Sequence, residues 1–232
     1  MNIRAAIFDK DGTLFDFQST WGVWTGHILS MIAGSDVELC QSLARALQYD
    51  AVAGRVLPGS LIVAGTPAEI AKVIQGFKPE LTVSEILSQL NEQATKVPQV
   101  LVTDLQILTK ELRAQGLKLC VMTNDAERVA QRHLTSVGAL NFFDYVIGSD
   151  SGYGSKPDPA PLLALAAKIG IPAEGCVMVG DSTHDLIAGR AAGMHTVAVL
   201  TGLAVREDLE NLADMVLPDV SHLPAWISAQ NS

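Results

Sequence analysis

Two pairs of aspartates follow short apolar segments of this sequence, and such pairs can bind a metal ion and take part in phosphoryl transfer. One pair is Asp9 and Asp11, near the start of the chain, and the other is Asp181 and Asp185. Residues two apart in an extended segment face the same side, so Asp9 and Asp11 should converge while Lys10 points away. Carboxylates held this close repel each other and call for a cation. The pairs therefore predict a cation site.

Three further polar residues could hold an anion beside these carboxylates. Thr123 and Asn124 lie between a predicted strand and a predicted helix, where a hydroxyl group and free backbone amides can bind phosphate. Lys156 lies between glycine and proline residues that precede another helix. Taken singly, Thr and Asn at such a place are more often helix caps, and an isolated lysine is more often a solvated surface charge.

The elements that must position these residues alternate between strands and helices. Buried parallel strands are predicted at residues 5–8, 117–122, 145–147, 176–179 and 196–200. Helices are predicted at 103–114, ending at Gly116, and from Asp158 and Pro159 to Gly170. This alternation predicts a doubly wound, Rossmann-like α/β fold. Ligands of such folds bind beyond the carboxyl ends of the strands, which is where the polar residues should meet.

Residues 17–96 interrupt this alternation, because their pattern predicts four helices with almost no strand. Three of the helix starts carry the capping-box pattern, namely Ser35 with Glu38, Thr66 with Glu69, and Thr82 with Glu85. The stretch 49–66 has no clear period and is predicted to be a loop. We therefore predict an α/β catalytic core of residues 1–16 and 97–232, with an inserted all-helical cap domain of residues 17–96.

The charge of the chain restricts its partners. Its 232 residues include 16 Lys and Arg against 25 Asp and Glu, which gives a formal net charge of -9. This charge repels nucleic acid and anionic membranes, and no basic patch offsets it. We expect a small phosphorylated metabolite as the partner, no nucleic acid, no membrane, and a monomer or homodimer.

Two further features bear on the compartment. The apolar run at the start is too short for a signal peptide, and no segment has the roughly 18 apolar residues of a membrane span. Cys40, Cys120 and Cys176 are widely spaced, which predicts free thiols that are mostly buried. We expect a cytoplasmic protein.

The polar segments, taken in order, resemble the DxDGT, Ser/Thr, Lys and GDxxxD motifs of the haloacid dehalogenase superfamily of phosphohydrolases. The resemblance extends from Asp9 to Asp185. The insert lies between the first two motifs and is similar in position and size to the helical C1-type cap of phosphoglycolate phosphatases and β-phosphoglucomutases. Asp16-Phe17 departs from the usual Asp followed by Ser or Thr, a difference that bears on specificity.

The resemblance implies a role for each matched residue. Asp9 would be the nucleophile, and Asp11 would protonate the leaving group and then activate water. Thr123 and Lys156 would hold the phosphoryl oxygens. The ligands of a Mg²⁺ ion would be Asp9, the backbone carbonyl of Asp11, Asp181, and Asp185 directly or through water. Further substrate-binding candidates are Gly12, Asn124 and Arg55, the last because arginine suits phosphate and carboxylate groups.

The retained Asp11 implies chemistry on phosphate esters, since dehalogenases lack an acid at this position. Our main hypothesis is Mg²⁺-dependent hydrolysis of a small, phosphoglycolate-like phosphate monoester through an aspartyl-phosphate intermediate. One alternative is a sugar phosphomutase like β-phosphoglucomutase, which would share every core motif. Another is a non-catalytic phosphoacceptor or binding module, such as a receiver domain, although the helical insert and the second acidic pair argue against it.

Overall fold

The computed structural model describes residues 2–231. Its strands are β1 (Ala5–Phe8), β2 (Tyr49–Asp50), β3 (Arg55–Val56), β4 (Lys118–Met122), β5 (Tyr145–Ile147), β6 (Cys176–Gly180), β7 (His195–Val199) and β8 (Met215–Leu217). Six of them form one sheet in the order β5-β4-β1-β6-β7-β8, with parallel pairing throughout. The predicted doubly wound α/β fold is confirmed, although the short edge strand β8 was not predicted.

Helices pack against the sheet and make up most of the inserted segment. They are α1 (Val23–Ala33), α2 (Val37–Ala46), α3 (Leu61–Ala64), α4 (Pro67–Gln75), α5 (Val83–Ala94), α6 (Leu105–Ala114), α7 (Glu127–Ser136), α8 (Ala160–Ile169), α9 (Thr183–Ala191), α10 (Arg206–Leu209) and α11 (Leu223–Asn231). A π-helical turn, Gln18–Gly22, leads directly into α1. None of the helices within residues 2–231 is both long enough and apolar enough to cross a bilayer.

The register of the sheet brings the ends of its central strands to one edge. Phe8 of β1 pairs with Val121 of β4 on one side and with Val179 of β6 on the other. Apart from Lys118, the exposed first residue of β4, all three strands are apolar or glycine and buried, as expected for strands covered on both faces. The residues that follow them in the chain, Asp9, Thr123 and Asp181, therefore emerge close together.

The inserted segment builds a hydrophobic cluster of its own, apart from the clusters around the sheet. Trp21, Ile28 and Leu90 belong to this cluster, and Ala126 and Val129 of the core pack against it. The stretch predicted as a loop contains the two-strand hairpin β2–β3 and the short helix α3. The insert is therefore helical except for this hairpin, and its boundaries at 16/17 and 96/97 remain a prediction.

Most helix ends follow their sequence signals. The capping boxes of Thr66 with Glu69 and Thr82 with Glu85 are both present. The prediction for Ser35 was wrong by one residue, because the Asp36 side chain accepts the N–H of Leu39 at 2.9 Å and caps α2. Similarly, Asp104 caps α6, although Thr103 was the predicted start. An aspartate caps as well as serine or threonine, so neighbouring candidates could not be told apart from sequence alone.

Candidate active site

Side chains from separate chain segments meet at this edge of the sheet. Asp9 follows β1, Thr123 follows β4 and Asp181 follows β6, while Lys156 precedes α8 and Asp185 lies in the first turn of α9. All five are buried, with 8% or less of each residue exposed. The convergence expected from the ends of parallel strands is therefore present.

Three of the aspartates are close enough for one ion to lie among them. One carboxylate oxygen from each of Asp9, Asp181 and Asp185 lies within 4.8 Å of the other two. Burial raises the pKa of Asp9 to about 7, with Asp185 and Asp11 adding to the rise and Lys156 opposing it. Burial, Asp9 and Asp185 likewise raise the pKa of Asp181 well above its ordinary value. A divalent cation would relieve this repulsion.

Glycine at two positions allows the chain to approach Asp181 closely. Gly12 has a φ of +86°, and a Cβ atom built there would collide with the Asp181 carboxylate. A Cβ atom at Gly202 would collide with the same carboxylate. The hydroxyl of Thr13 donates to Asp181 Oδ1 at 3.3 Å. Gly202 was not predicted, because it lies in a loop far from the four motifs in sequence.

Lys156 is the cation of this site. Its Nζ lies 2.6 Å from Asp9 Oδ1, 2.6 Å from Asp185 Oδ1 and 2.9 Å from the carbonyl oxygen of Met122. Burial alone would lower the pKa of Lys156, but Asp185 and Asp9 outweigh burial and raise the pKa above its ordinary value. The ammonium group therefore stays charged and holds the nucleophile candidate in place.

A cavity opens between these residues and the inserted segment. The space between them measures about 660 Å³, a figure that includes solvent at its open side. Asp9, Asp11, Thr123, Lys156 and Asp181 all line it. The opposite wall is formed by apolar side chains of the insert, which therefore covers the reactive edge of the sheet.

Comparison with known proteins identifies the family. A model described as haloacid dehalogenase-like hydrolase matches residues 3–193. The chain belongs to the haloacid dehalogenase-like hydrolase family. A phosphoglycolate phosphatase of Xanthomonas campestris pv. campestris (strain 8004) is 31% identical over 228 residues, covering 96% of this chain and 97% of that one. The family match and this relative together identify the chain as a phosphatase.

Solved structures show the same fold for this family member. One is a predicted phosphoglycolate phosphatase from Haemophilus somnus 129pt, with a TM-score of 0.72, 20% identity, and coverage of 98% of this chain and 99% of that one. Another is a β-phosphoglucomutase from Clostridium difficile, with a TM-score of 0.70, 17% identity, and coverage of 99% and 96%. At these identities the likeness establishes the fold alone.

Asn124 lines the cavity, but the polar atoms of its side chain are engaged with backbone groups. Its Oδ1 accepts the N–H of Lys156 at 2.9 Å, and its Nδ2 donates to the carbonyl oxygens of Lys156 at 2.8 Å and Ala64 at 2.6 Å. Both N–H groups of this side chain are thus engaged, so Asn124 fixes the backbone of Lys156 and contacts the cap. Thr123 Oγ1 accepts the N–H of Asp125 at 3.1 Å, which leaves its hydroxyl hydrogen for an anion.

Arg55, the predicted cap residue for a substrate anion, lies outside the cavity. It is exposed on strand β3 of the cap hairpin and is not among the residues that line the space above Asp9. The hairpin explains this, because alternate residues of a strand face opposite sides and its neighbour Val56 takes the buried side.

Lys10 does not point away from the acidic pair, as the sequence had suggested. It is fully buried, and its Nζ lies 2.5 Å from Asp11 Oδ2 and 3.1 Å from Asp125 Oδ2. The chain turns immediately after β1, so the alternation of an extended strand does not apply beyond Asp9. Lys10 therefore holds the carboxylate of Asp11 from beneath the cavity.

His133 lies beside Lys10 and links the group formed by Lys10, Asp11 and Asp125 to the cap. Its Nδ1 lies 3.0 Å from Lys10 Nζ, and its Nε2 lies 2.8 Å from the carbonyl oxygen of Ala94. An ammonium group only donates, so Nδ1 accepts and the hydrogen is on Nε2, which donates to Ala94. Burial, reinforced by Lys10, lowers the pKa of His133 to about 4, so the ring is neutral. No role for His133 was predicted from the sequence, although its spacing of four residues from Val129 on α7 could have indicated its inward position.

Removing the charge of Lys10 should impair turnover. We expect Lys10→Met to lower kcat by about 100-fold with little change in KM, because Asp11 loses the group that positions it. Steady-state phosphate release from a phosphate monoester measures both constants. Lys110→Met, on the exposed surface of α6, is the matched control. A folded Lys10→Met variant with unchanged kcat would contradict the positioning role.

Proposed function

We propose that this phosphatase hydrolyses a small phosphate monoester with the help of Mg²⁺, through a phosphoryl group carried on Asp9. The observation that carries the proposal is the convergence of Asp9, Asp181 and Asp185 within 4.8 Å, with Lys156 bonded to two of them. Such a site can bind a cation and a phosphate at once.

The donor atoms present suit Mg²⁺, which prefers oxygen ligands and usually keeps several waters. Asp9 and Asp181 each have a carboxylate oxygen that is not bonded to the lysine. Burial, together with the neighbouring carboxylates, raises the pKa of both groups, and a cation would offset both causes. Asp185 is already engaged, because its Oδ1 bonds Lys156 and its Oδ2 accepts from the N–H and hydroxyl of Ser182. We therefore propose that Asp185 binds the ion through a bridging water molecule.

We assign the chemical steps of hydrolysis to four side chains of the site. Asp9 would attack phosphorus, and Lys156 and the Thr123 hydroxyl would hold the phosphoryl oxygens. Asp11 lines the cavity, and its Oδ1 has no hydrogen-bond partner within residues 2–231, so this oxygen can serve the leaving group and then a water molecule. When bound, Mg²⁺ would offset the charge on the transferring group.

Hydrolysis is favoured over mutase chemistry by the full-length relative named as a phosphoglycolate phosphatase. The β-phosphoglucomutase is similar at only 17% identity, which bears on the fold alone. A panel of phosphorylated metabolites assayed with Mg²⁺ and with EDTA tests this proposal. We expect Mg²⁺-dependent release of phosphate. Isomerisation of a sugar phosphate with little free phosphate would support the mutase instead, and no turnover would support a binding module.

Mg²⁺ should stabilise the fold more strongly as pH rises. The pKa of Asp9 is raised to about 7, so the folded metal-free protein keeps a proton that the unfolded chain has lost, and this group's contribution to stability falls as pH rises from about 4 through 7. The ion binds the ionised carboxylate and should offset this loss. We expect a larger Mg²⁺-induced rise in Tm at about pH 8 than at about pH 6. Thermal unfolding with Mg²⁺ or EDTA measures this rise in Tm. An equal rise at the two pH values would contradict binding of the ion to the Asp9 carboxylate.

A further inference from the structure

The cap wall of the cavity carries no positive charge. Twelve residues of the insert line the cavity, and eleven of them are hydrophobic side chains or glycine, including Phe17, Trp21 and Leu90. The exception is Asn91, a neutral amide that is half-buried. Trp24, one of the eleven, has a neutral indole N–H with no hydrogen-bond partner within residues 2–231. Among these lining residues there is no lysine, arginine or histidine, so the cap offers no ionic partner to a substrate.

The core side of the cavity is acidic. Five aspartates line it, namely Asp9, Asp11, Asp125, Asp181 and Asp185. Lys156, the lysine among the lining residues, already bonds two of these carboxylates. Lys10 is engaged beneath the cavity, and Arg55 is exposed outside it. The further lining side chain that can carry positive charge is His184, which lies within the Asp181–Asp185 segment.

With Mg²⁺ and Lys156 engaged by the aspartates and the phosphoryl group, a leaving group with a second anionic charge would face the apolar cap wall. Among the lining residues it would find His184 as the remaining side chain that can carry positive charge. Burying an unpaired carboxylate against apolar groups is strongly unfavourable, and nearby like charges add to the cost. An uncharged hydrocarbon or aromatic group would instead gain from contact with Trp21, Ile70 and Leu90.

We infer that the leaving group of the substrate is an uncharged, largely apolar alcohol, and that the cap selects against monoesters bearing a carboxylate, phosphoglycolate included. This inference rests on the proposed hydrolysis of a phosphate monoester. It departs from the substrate in the name of the Xanthomonas relative, a phosphoglycolate phosphatase.

A shape-matched pair of substrates tests this inference. Isobutyl phosphate has the branching of phosphoglycolate, with two methyl groups in place of the carboxylate oxygens. We expect kcat/KM for isobutyl phosphate to exceed that for phosphoglycolate by about tenfold or more, the discrimination expected for an unpaired buried charge. An equal or higher value for phosphoglycolate would overturn the inference while leaving the hydrolase proposal intact. Failure of both esters, together with phenyl phosphate, would count against the hydrolase proposal and the inference together.

A charge added to the cap wall tests the cause of the selectivity. Asn91→Lys places a cation at a half-buried lining position, and Asn91→Gln is the matched neutral variant. We expect the kcat/KM ratio of phosphoglycolate to isobutyl phosphate to rise about tenfold in Asn91→Lys and to stay near the original value in Asn91→Gln. Thermal unfolding verifies that both variants are folded. A ratio that is unchanged, or that rises equally in both variants, would overturn charge as the basis of selection.

Discussion

Asp9→Asn is expected to lower kcat for phosphate release by about 10⁴-fold or more, to the background of the assay. The amide keeps the size of the side chain at the end of β1, but it has no carboxylate to attack phosphorus. The substitution also replaces a carboxylate of the proposed cation site by a neutral amide. Phosphate release from isobutyl or phenyl phosphate, with Mg²⁺ in excess, measures the loss.

Asp36→Asn is the matched control for this change. Asp36 is exposed and caps α2 in the cap, and asparagine caps a helix about as well as aspartate, so activity should be unchanged. Thermal unfolding should find both variants folded. If folded Asp9→Asn kept a tenth or more of the original kcat, Asp9 would not be the nucleophile.

Lys156→Met is expected to have the second largest effect, because it acts on both activity and stability. We expect kcat/KM to fall about 10³-fold, since the phosphoryl oxygens lose their cation. We also expect the free energy of unfolding to fall by about 3 kcal/mol, because the buried carboxyl groups of Asp9 and Asp185 both lose the ammonium group that bridges them. Denaturant unfolding and steady-state kinetics measure the two effects.

Lys110→Met again supplies the control, because it removes an exposed lysine of α6 by the same substitution. Mg²⁺ in excess should recover part of the lost stability in Lys156→Met, since the cation then lies among the same carboxylates. The lost activity should persist. A folded Lys156→Met variant with near-normal kcat/KM would show that another group holds the phosphoryl oxygens.

The gathering of Asp9, Thr123 and Asp181 could be predicted from sequence because it follows from a rule of the fold. Short apolar runs that alternate with helices give a parallel sheet, and the residues after parallel strands share one edge. This reasoning needs no knowledge of side-chain packing. The same holds for the starts of α4 and α5 in the insert, where Thr66 and Thr82 form capping boxes with glutamates three residues later.

Other features depend on contacts between distant parts of the chain and were not predictable in this way. Lys10 is buried because the chain turns after β1 and because His133, on a helix far along the sequence, supplies an acceptor. Gly202 matters only because its loop comes back over Asp181. Arg55 was a reasonable choice by chemistry, but the hairpin that turns it outward has two-residue strands too short to show a period.

The most direct test of the account is to trap the phosphoenzyme and locate its phosphoryl group. Rapid acid quench during turnover of isobutyl phosphate with Mg²⁺, followed by peptide mass spectrometry, would locate it. We predict one added phosphoryl group on the peptide that contains Asp9, absent with EDTA and absent in Asp9→Asn. Phosphoryl transfer to a different residue, or turnover with no phosphorylated protein at any quench time, would contradict the account.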